Sequence, residues 1–227
     1  MFDVRFRNPS SFLLAGASQS GKTTFTLNLL RHIDHLFEKP ECKNNVIYFY
    51  HQWQPSFDIF SKENIVKEWV NKLPSTDDIV EKTMGFVETG SIIVIDDFAQ
   101  QLTKDTIDIF SRQCHHTNSV IILLVQNIFC KNPVFREISL NANYVVLFKN
   151  PRDASQISCF AKQITPGDSK WLIDAFEDAT KQPHSYMLFD CHQDTPKNMR
   201  QRSHVLPHES PMRVYIPKAC AVSHAAV

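Results

Sequence analysis

Apolar residues fall in short dense runs along this chain, separated by longer stretches where they recur at steps of three and four. The runs 12–15, Val46–Tyr50, 92–95, Val120–Val125 and Tyr144–Phe148 are nearly continuous and rich in β-branched and aromatic side chains. Such runs read as strands buried on both faces, as in a parallel sheet. Residues 185–189 form a further strand. Phe2, Val4 and Phe6 alternate loosely, as a short edge strand that Asn8-Pro9 breaks. Phe25, Leu29, Ile33 and Leu36 mark a helix over residues 24–37, and Ile65, Val66, Trp69 and Val70 mark one over 63–72. Further helices are expected over 77–87, capped by Ser75-Thr76, over 105–116, after Asn132-Pro133, over 154–164 and over 168–180. Strands alternate with helices and no internal repeat is evident. The pattern predicts an α/β fold, a mostly parallel sheet covered on both faces.

One stretch between the first strand and the first helix carries specific chemistry. Gly16, Ala17, Ser18, Gln19, Ser20, Gly21, Lys22 and Thr23 fit the pattern G-x-x-x-x-G-K-[ST] at every fixed position. The chain has only 5 Gly, and two of them sit here, so the match stands out from composition. Glycines let successive backbone amides turn into one concavity, a nest for phosphate oxygens at a helix N-terminus that continues through Thr24. Lys22 is placed to reach the β- and γ-phosphates of ATP, and the Thr23 hydroxyl to ligate Mg²⁺.

A second stretch, residues 91–97, is a buried strand that ends in two carboxylates. This is what a Walker B element needs. Asp96 would hold Mg²⁺ through water, and Asp97 would polarise the attacking water as a general base. The strand 119–127 also ends in polar groups, where the Gln126 amide could touch the γ-phosphate or orient that water. The polar loop 51–55, with Trp53, lies at the carboxyl end of its strand, the sheet edge where ligands bind in open α/β folds.

Composition bounds the rest. At 227 residues, 43% hydrophobic and 21% charged, the chain suits a soluble domain with a sizeable core. A formal net charge of +0 supplies no global field for nucleic acid or an acidic membrane, so any DNA contact must be local. Six scattered Cys without a C-x-x-C pair favour reduced thiols over a disulfide or zinc framework. Cys114-His115-His116 and Cys191-His192 lack zinc spacing, and G-x-S-x-G does not occur. No signal peptide is read at the start, and no run is long enough to span a bilayer. From Thr195 the periodicity fades and prolines recur. Lys197, Arg200, Arg202, Arg213 and Lys218 stand against Glu209. The expectation is a domain over residues 1–194 followed by a basic tail, 195–227, extended or partly disordered.

The order of P-loop, Tyr-Phe-Tyr strand, Ile-Ile-Val-Ile-Asp96-Asp97, then Arg112-Gln-Cys-His115-His116 leading to Gln126-Asn127 resembles one family. It is similar to the DNA-packaging ATPases of large eukaryotic DNA viruses and of virus-like Polinton (Maverick) transposons, in the FtsK–HerA group. The resemblance covers about residues 10–190. It implies a three-layer RecA-like P-loop NTPase fold and a homo-oligomeric, hexameric ring. That ring would couple ATP hydrolysis, with Mg²⁺, to movement of double-stranded DNA into a shell of capsid proteins. The setting implied is the nucleus or cytoplasm of a host cell, or the virion, with no membrane involved. The group uses an arginine from the neighbouring subunit, and Arg112, before the Gln126 strand, is the first candidate, ahead of Arg136 and Arg152. Many relatives carry Glu after the first acid, where this chain has the shorter Asp97. Other readings of the same P-loop are a small-molecule kinase, which would need an arginine-rich lid, a non-hydrolysing nucleotide scaffold, and a replicative helicase-like ATPase.

Overall fold

The computed structural model describes residues 3–129, 133–209 and 211–217. Strand β1 (Ser10–Ala15) runs into the glycine loop and α1 (Lys22–Arg31), followed by α2 (Ile33–Leu36). Then come β2 (Val46–Tyr50), α3 (Pro55–Lys62), β3 (Glu68–Val70), α4 (Thr76–Thr83) and β4 (Ile92–Asp96). Next, α5 (Lys104–Asp108) continues through a π turn (Ile109–Gln113) into α6 (Cys114–His116), and β5 (Val120–Val125) comes after it. The remaining elements are α7 (Pro133–Asn141), β6 (Tyr144–Phe148), α8 (Ser155–Ile164), α9 (Ser169–Ala179), β7 (Tyr186–Asp190), β8 (Gln201–Ser203) and β9 (Arg213–Tyr215).

The strands form one sheet in the order β3-β2-β4-β5-β1-β6-β7-β8-β9. The first six are parallel and the last three antiparallel, so the expected mostly parallel α/β sheet is what forms. Alternation along β1 divides the core. Phe12 and Leu14 pack with Phe25, Leu29 and Phe57 of α1 and α3 on one face. Leu13 and Ala15 pack with Ile79, Phe110, Phe135, Phe160 and Leu172 from α4 to α9 on the other. The result is three layers. All six residues of β1 are buried between β5 and β6. Burying one such Leu or Phe side chain is worth ~1.5–3 kcal/mol, so the glycine loop hangs from a firmly held strand.

Local chemistry explains the element ends. Ser75 accepts from the Asp78 amide while Asp78 accepts from the Ser75 amide, a reciprocal cap that starts α4 where the sequence placed it. Gly90 turns the chain into β4 at φ 78°, and a Cβ there would lie 2.4 Å from the Asn118 carbonyl oxygen.

Four expectations give way. The helix over 24–37 breaks at His32, and the short α2 follows it. The start of the chain is no edge strand: Phe6 makes an isolated bridge with Phe37, its ring among Phe12, Phe37 and Tyr144. Met1 and Phe2 lie outside the described residues. The helix over 63–72 is replaced by α3 upstream and β3 downstream. Pro55 opens α3 at a helix N-terminus, where its missing N–H costs nothing, and Phe57 and Phe60 bury its inner face. Trp69 instead joins the sheet and packs its ring 4.8 Å from both Tyr48 and Phe57.

The fourth concerns the tail. The sheet does not end at residue 194, because β8 and β9 extend it. Gln201, Arg202 and Ser203 are polar yet almost wholly buried. Arg202 donates to Asp190 Oδ2 at 2.8 Å and to the Val4 carbonyl at 2.9 Å, and His192 Nδ1 lies 2.9 Å from Asp190 Oδ1. Burial alone would raise the Asp190 pKa, but the His192 hydrogen bond and the Arg202 charge outweigh it and hold it low. Arg200 likewise donates to the carbonyls of Thr195, His192 and Gln193. Two cations expected on an extended or partly disordered basic tail are therefore spent within the fold. Lys218 and the rest of 218–227 lie outside the described residues.

Replacing Arg202 by Met leaves the buried Asp190 charge with His192 as its side-chain partner. Urea unfolding at neutral pH is expected to show a loss of about 3–5 kcal/mol. A loss below about 1 kcal/mol, the scale of an exposed pair, would contradict this account.

Candidate functional site

The strand order puts β4, β5 and β1 side by side with their carboxyl ends level. Ala15 pairs with Val125, and Asp96 with Leu124. The Gly16 amide donates to the Val125 carbonyl at 3.2 Å, extending the ladder by one bond before the loop turns away. Gly16 after β1, Asp97 after β4 and Gln126 after β5 therefore meet at one edge of the sheet.

The loop needs its glycines. A Cβ on Gly16 would lie 2.6 Å from Ser20 Oγ and 2.7 Å from Phe148 Cβ. Gly21 sits at φ 105° just before α1, and Gln19 at φ 63°. Lys22 folds back to donate to the carbonyls of Gly16 at 2.6 Å and Ala17 at 3.0 Å, which spans its ammonium across the loop. Burial lowers the Lys22 pKa, against the pull of Asp96 and then Asp97, so both acids act on this ammonium. Ser20 Oγ is buried without a partner among the described residues, a polar atom positioned for an oxygen-rich ligand.

Asp96 ends β4 at 5% exposure. Its Oδ2 accepts from the Tyr48 phenol at 2.8 Å and from Thr23 Oγ1 at 3.3 Å. Burial raises the Asp96 pKa, while the Tyr48 hydrogen bond and the Lys22 charge pull it down. The Thr23 hydroxyl and the Asp96 carboxylate are thus hard oxygen donors brought together at the mouth of the loop, a donor set that fits Mg²⁺.

Asp97 differs in both backbone and surroundings. It lies at φ 66°, a left-handed conformation that Asp adopts more readily than most residues, and this turns the chain off the strand. It is exposed, and its Oδ1 accepts from the Gln126 amide at 3.3 Å. Both residues border a cleft of about 560 Å³ that also takes in His51 and Asn127. The structure thus joins Lys22, Thr23 and Asp96 in one group and Asp97 with Gln126 in a second, on adjacent strand ends.

The arginines are elsewhere. Arg112 lies in the π turn between β4 and β5, is 75% exposed, and pairs with Asp108 of its own chain. Arg136 is exposed on α7, and Arg152 is exposed just after β6. Among the described residues, no hydrogen bond or ion pair joins any of the three to the loop or the two acids.

Tyr48 is a site residue that the sequence does not nominate. The Tyr-Phe-Tyr run reads only as a buried strand, yet a tyrosine buried in the middle of a parallel sheet must find a partner for its hydroxyl. That requirement is the available signal. The rings of Trp69 and Phe57 pack against it at tilted angles, and through Tyr50 the cluster leads to the half-exposed Trp53, whose Nε1 donates to Asp58 at 3.0 Å.

A family model described as Poxvirus A32 protein matches residues 3–159. No curated protein matches the chain. Among solved structures, the chain is similar to the genome packaging NTPase B204 from Sulfolobus turreted icosahedral virus 2. In its complex with AMP the TM-score is 0.52 at 16% identity, covering 92% of this chain and 98% of that one. The complex with ATP-gammaS gives the same values. The complex with sulfate gives a TM-score of 0.51 at 17% identity, with the same coverage. At such identity the likeness establishes a shared fold.

Tyr48→Phe should leave Asp96 Oδ2 with only the long Thr23 contact and cost about 1–3 kcal/mol of stability. Loss of that hydrogen bond also lifts further a folded-state pKa that burial has already raised above 3.8. The penalty on the charged carboxylate is therefore present above the folded pKa and fades as pH falls toward 3.8. Urea titrations at pH 7 and pH 4 check this, and an equal cost at both would contradict it.

Proposed function

The chain belongs to the Poxvirus A32 protein family, and we propose that it is an ATPase that drives double-stranded viral DNA into a capsid. The observation that carries this reading is the convergence of Lys22, Thr23 and Asp96 at one strand edge, with Asp97 and Gln126 bonded beside them. A loop that binds phosphate needs only the first two. Paired acids and an amide at neighbouring strand ends are the equipment of hydrolysis. The B204 structures with AMP and ATP-gammaS add that a protein of this fold takes adenine nucleotides.

In this reading the amides of residues 16–24 and the Lys22 ammonium bind the β- and γ-phosphates of ATP. Mg²⁺, held by the Thr23 hydroxyl and through water by Asp96, supplies neutralisation of the phosphate charge. Asp97 accepts a proton from the attacking water as its oxygen bonds to the γ-phosphorus and the bond to the β-phosphate oxygen breaks. Gln126 orients that water through its amide, and its bond to Asp97 sets the two relative to each other. The low exposure of Asp96 against the open position of Asp97 separates their tasks: one is a fixed ligand, the other a base in reach of solvent.

Subunits act as a ring, a hexamer, with Arg112 reaching the neighbour's γ-phosphate. Its exposure and its place in a π turn suit that role, and it must exchange Asp108 for the neighbour's phosphate to perform it. DNA and capsid proteins are the partners, in the host cell nucleus or cytoplasm or in the virion. No helix of the described residues is long and apolar enough to cross a membrane. A small-molecule kinase or a replicative helicase-like ATPase is not favoured by any feature of the site.

Phosphate release from ATP should rise on addition of double-stranded DNA and fall by roughly a hundredfold or more in Lys22→Ala. Hydrolysis indifferent to DNA, with phosphate transferred to a nucleoside, would contradict the motor reading. Mixing Arg112→Ala with Asp97→Asn subunits should restore part of the turnover that each variant lacks alone. Full activity of Arg112→Ala alone, with no recovery on mixing, would remove Arg112 from the site.

A further inference from the structure

The glycine loop opens sideways into a cleft of about 630 Å³, within the range of about 300–1,000 Å³ usual for small-molecule sites. One wall is Thr24 and Asn28 of α1. The other is built by His184, His204 and His208 from the segments flanking β7 and β8. All three histidines lie beyond residue 159, where the family match ends.

The strand order gives a bound nucleotide its direction. Asp96, Asp97 and Gln126 end β4 and β5, on one side of β1. The γ-phosphate end must lie with those groups, so the nucleoside end leads across the loop toward β6 and β7. The cleft occupies that side.

Four further observations mark it as a built surface. Of the six non-glycine residues with left-handed backbones among the described residues, Gln19, His184 and His204 all border this cleft. Such conformations persist where the surrounding structure enforces them, and they gather at ligand sites. His184 presses against the loop itself, since a Cβ on Gly21 would lie 3.1 Å from its Cβ. The carboxylate on this wall is already engaged: Glu209 Oε2 accepts from the Tyr186 phenol at 2.5 Å and from the Leu206 amide at 3.1 Å. The Tyr186 oxygen in turn accepts from the Val205 amide at 3.1 Å, which pins the segment 205–209 over α1. His204 Nδ1 lies 3.0 Å from Ser203 Oγ, leaving Nε2 as the other polar atom of its ring. Imidazole rings and an engaged acid make a wall of π faces and hydrogen-bonding groups, suited to a ribose and a base rather than to more phosphate.

We propose that this cleft is the ribose and base subsite of the nucleotide, with the segment 204–209 as its outer wall. The inference rests on the reading of residues 16–24 as the triphosphate loop, and its test separates the two. The full chain, with Mg²⁺, is titrated with ATP and with inorganic tripolyphosphate, which has no nucleoside. A variant carrying His204→Gly and His208→Ala removes both rings, and glycine suits the 54° φ at position 204. The ATP dissociation constant should rise about tenfold in this variant, while that of tripolyphosphate stays within about twofold. Unchanged ATP affinity, or an equal loss for both ligands, would overturn the subsite. No binding of either ligand by the unaltered chain would overturn the loop reading and the subsite with it. As a second measurement, photolabelling of the unaltered chain with 8-azido-ATP should mark the peptide 184–209, and labels confined to other peptides would overturn the assignment.

Discussion

A carboxylate at the end of a buried strand has to be kept aimed and held in place without bulk water. Asp96 faces that constraint, and much of the neighbouring architecture answers it. Its desolvation is opposed by the Tyr48 phenol of β2 and by the Thr23 hydroxyl and Lys22 ammonium at the start of α1. Removing one partner from such a group costs more than the bond itself contributes, because the charge stays buried. The group is therefore cooperative. Tyr48 is positioned by Trp69 and Phe57, so the aromatic packing of β3 and α3 bears on where a cation would sit.

Sheet order converts these local bonds into a site. Only because β5 and β1 come after β4 in space do residues 16, 97 and 126 meet, although they are far apart in the chain. The antiparallel side of the same sheet has a different task. There β7 and β8, locked by the buried Arg202–Asp190 pair, carry histidines back to the flank of the loop. The region that looks like an appendage in the sequence is thus a wall of the cleft beside the glycine loop.

Legibility tracks the physical signal available at each place. Buried parallel strands such as 120–125 are apolar at every position, and the glycine loop obeys a strict spacing, so both stand out. The α4 cap is legible because Ser75 and Asp78 satisfy each other within three residues. Trp69 misleads because Ile65, Val66, Trp69 and Val70 recur at helical steps, while the choice of strand depends on rings contributed by Tyr48 and Phe57. Strand β8 is invisible to any hydrophobic pattern: Gln201, Arg202 and Ser203 are buried through hydrogen bonds and charge pairing. Tyr48 can be placed in a strand but not at Asp96, since that pairing depends on the register of β2 with β4. Asp97 and Gln126 can be nominated from strand ends, whereas their mutual bond and the left-handed turn at Asp97 emerge only in three dimensions.

The central claim is that one buried carboxylate organises a triphosphate site between the loop and β4. A crystal structure of the chain with Mg²⁺ and a non-hydrolysable ATP analogue tests it most directly. The account predicts phosphate oxygens on the amides of residues 16–24. It also predicts the cation beside Thr23 and Asp96, with the Tyr48 phenol still bonded to Asp96. Phosphates bound away from the loop, or an Asp96 carboxylate turned from the cation, would contradict it.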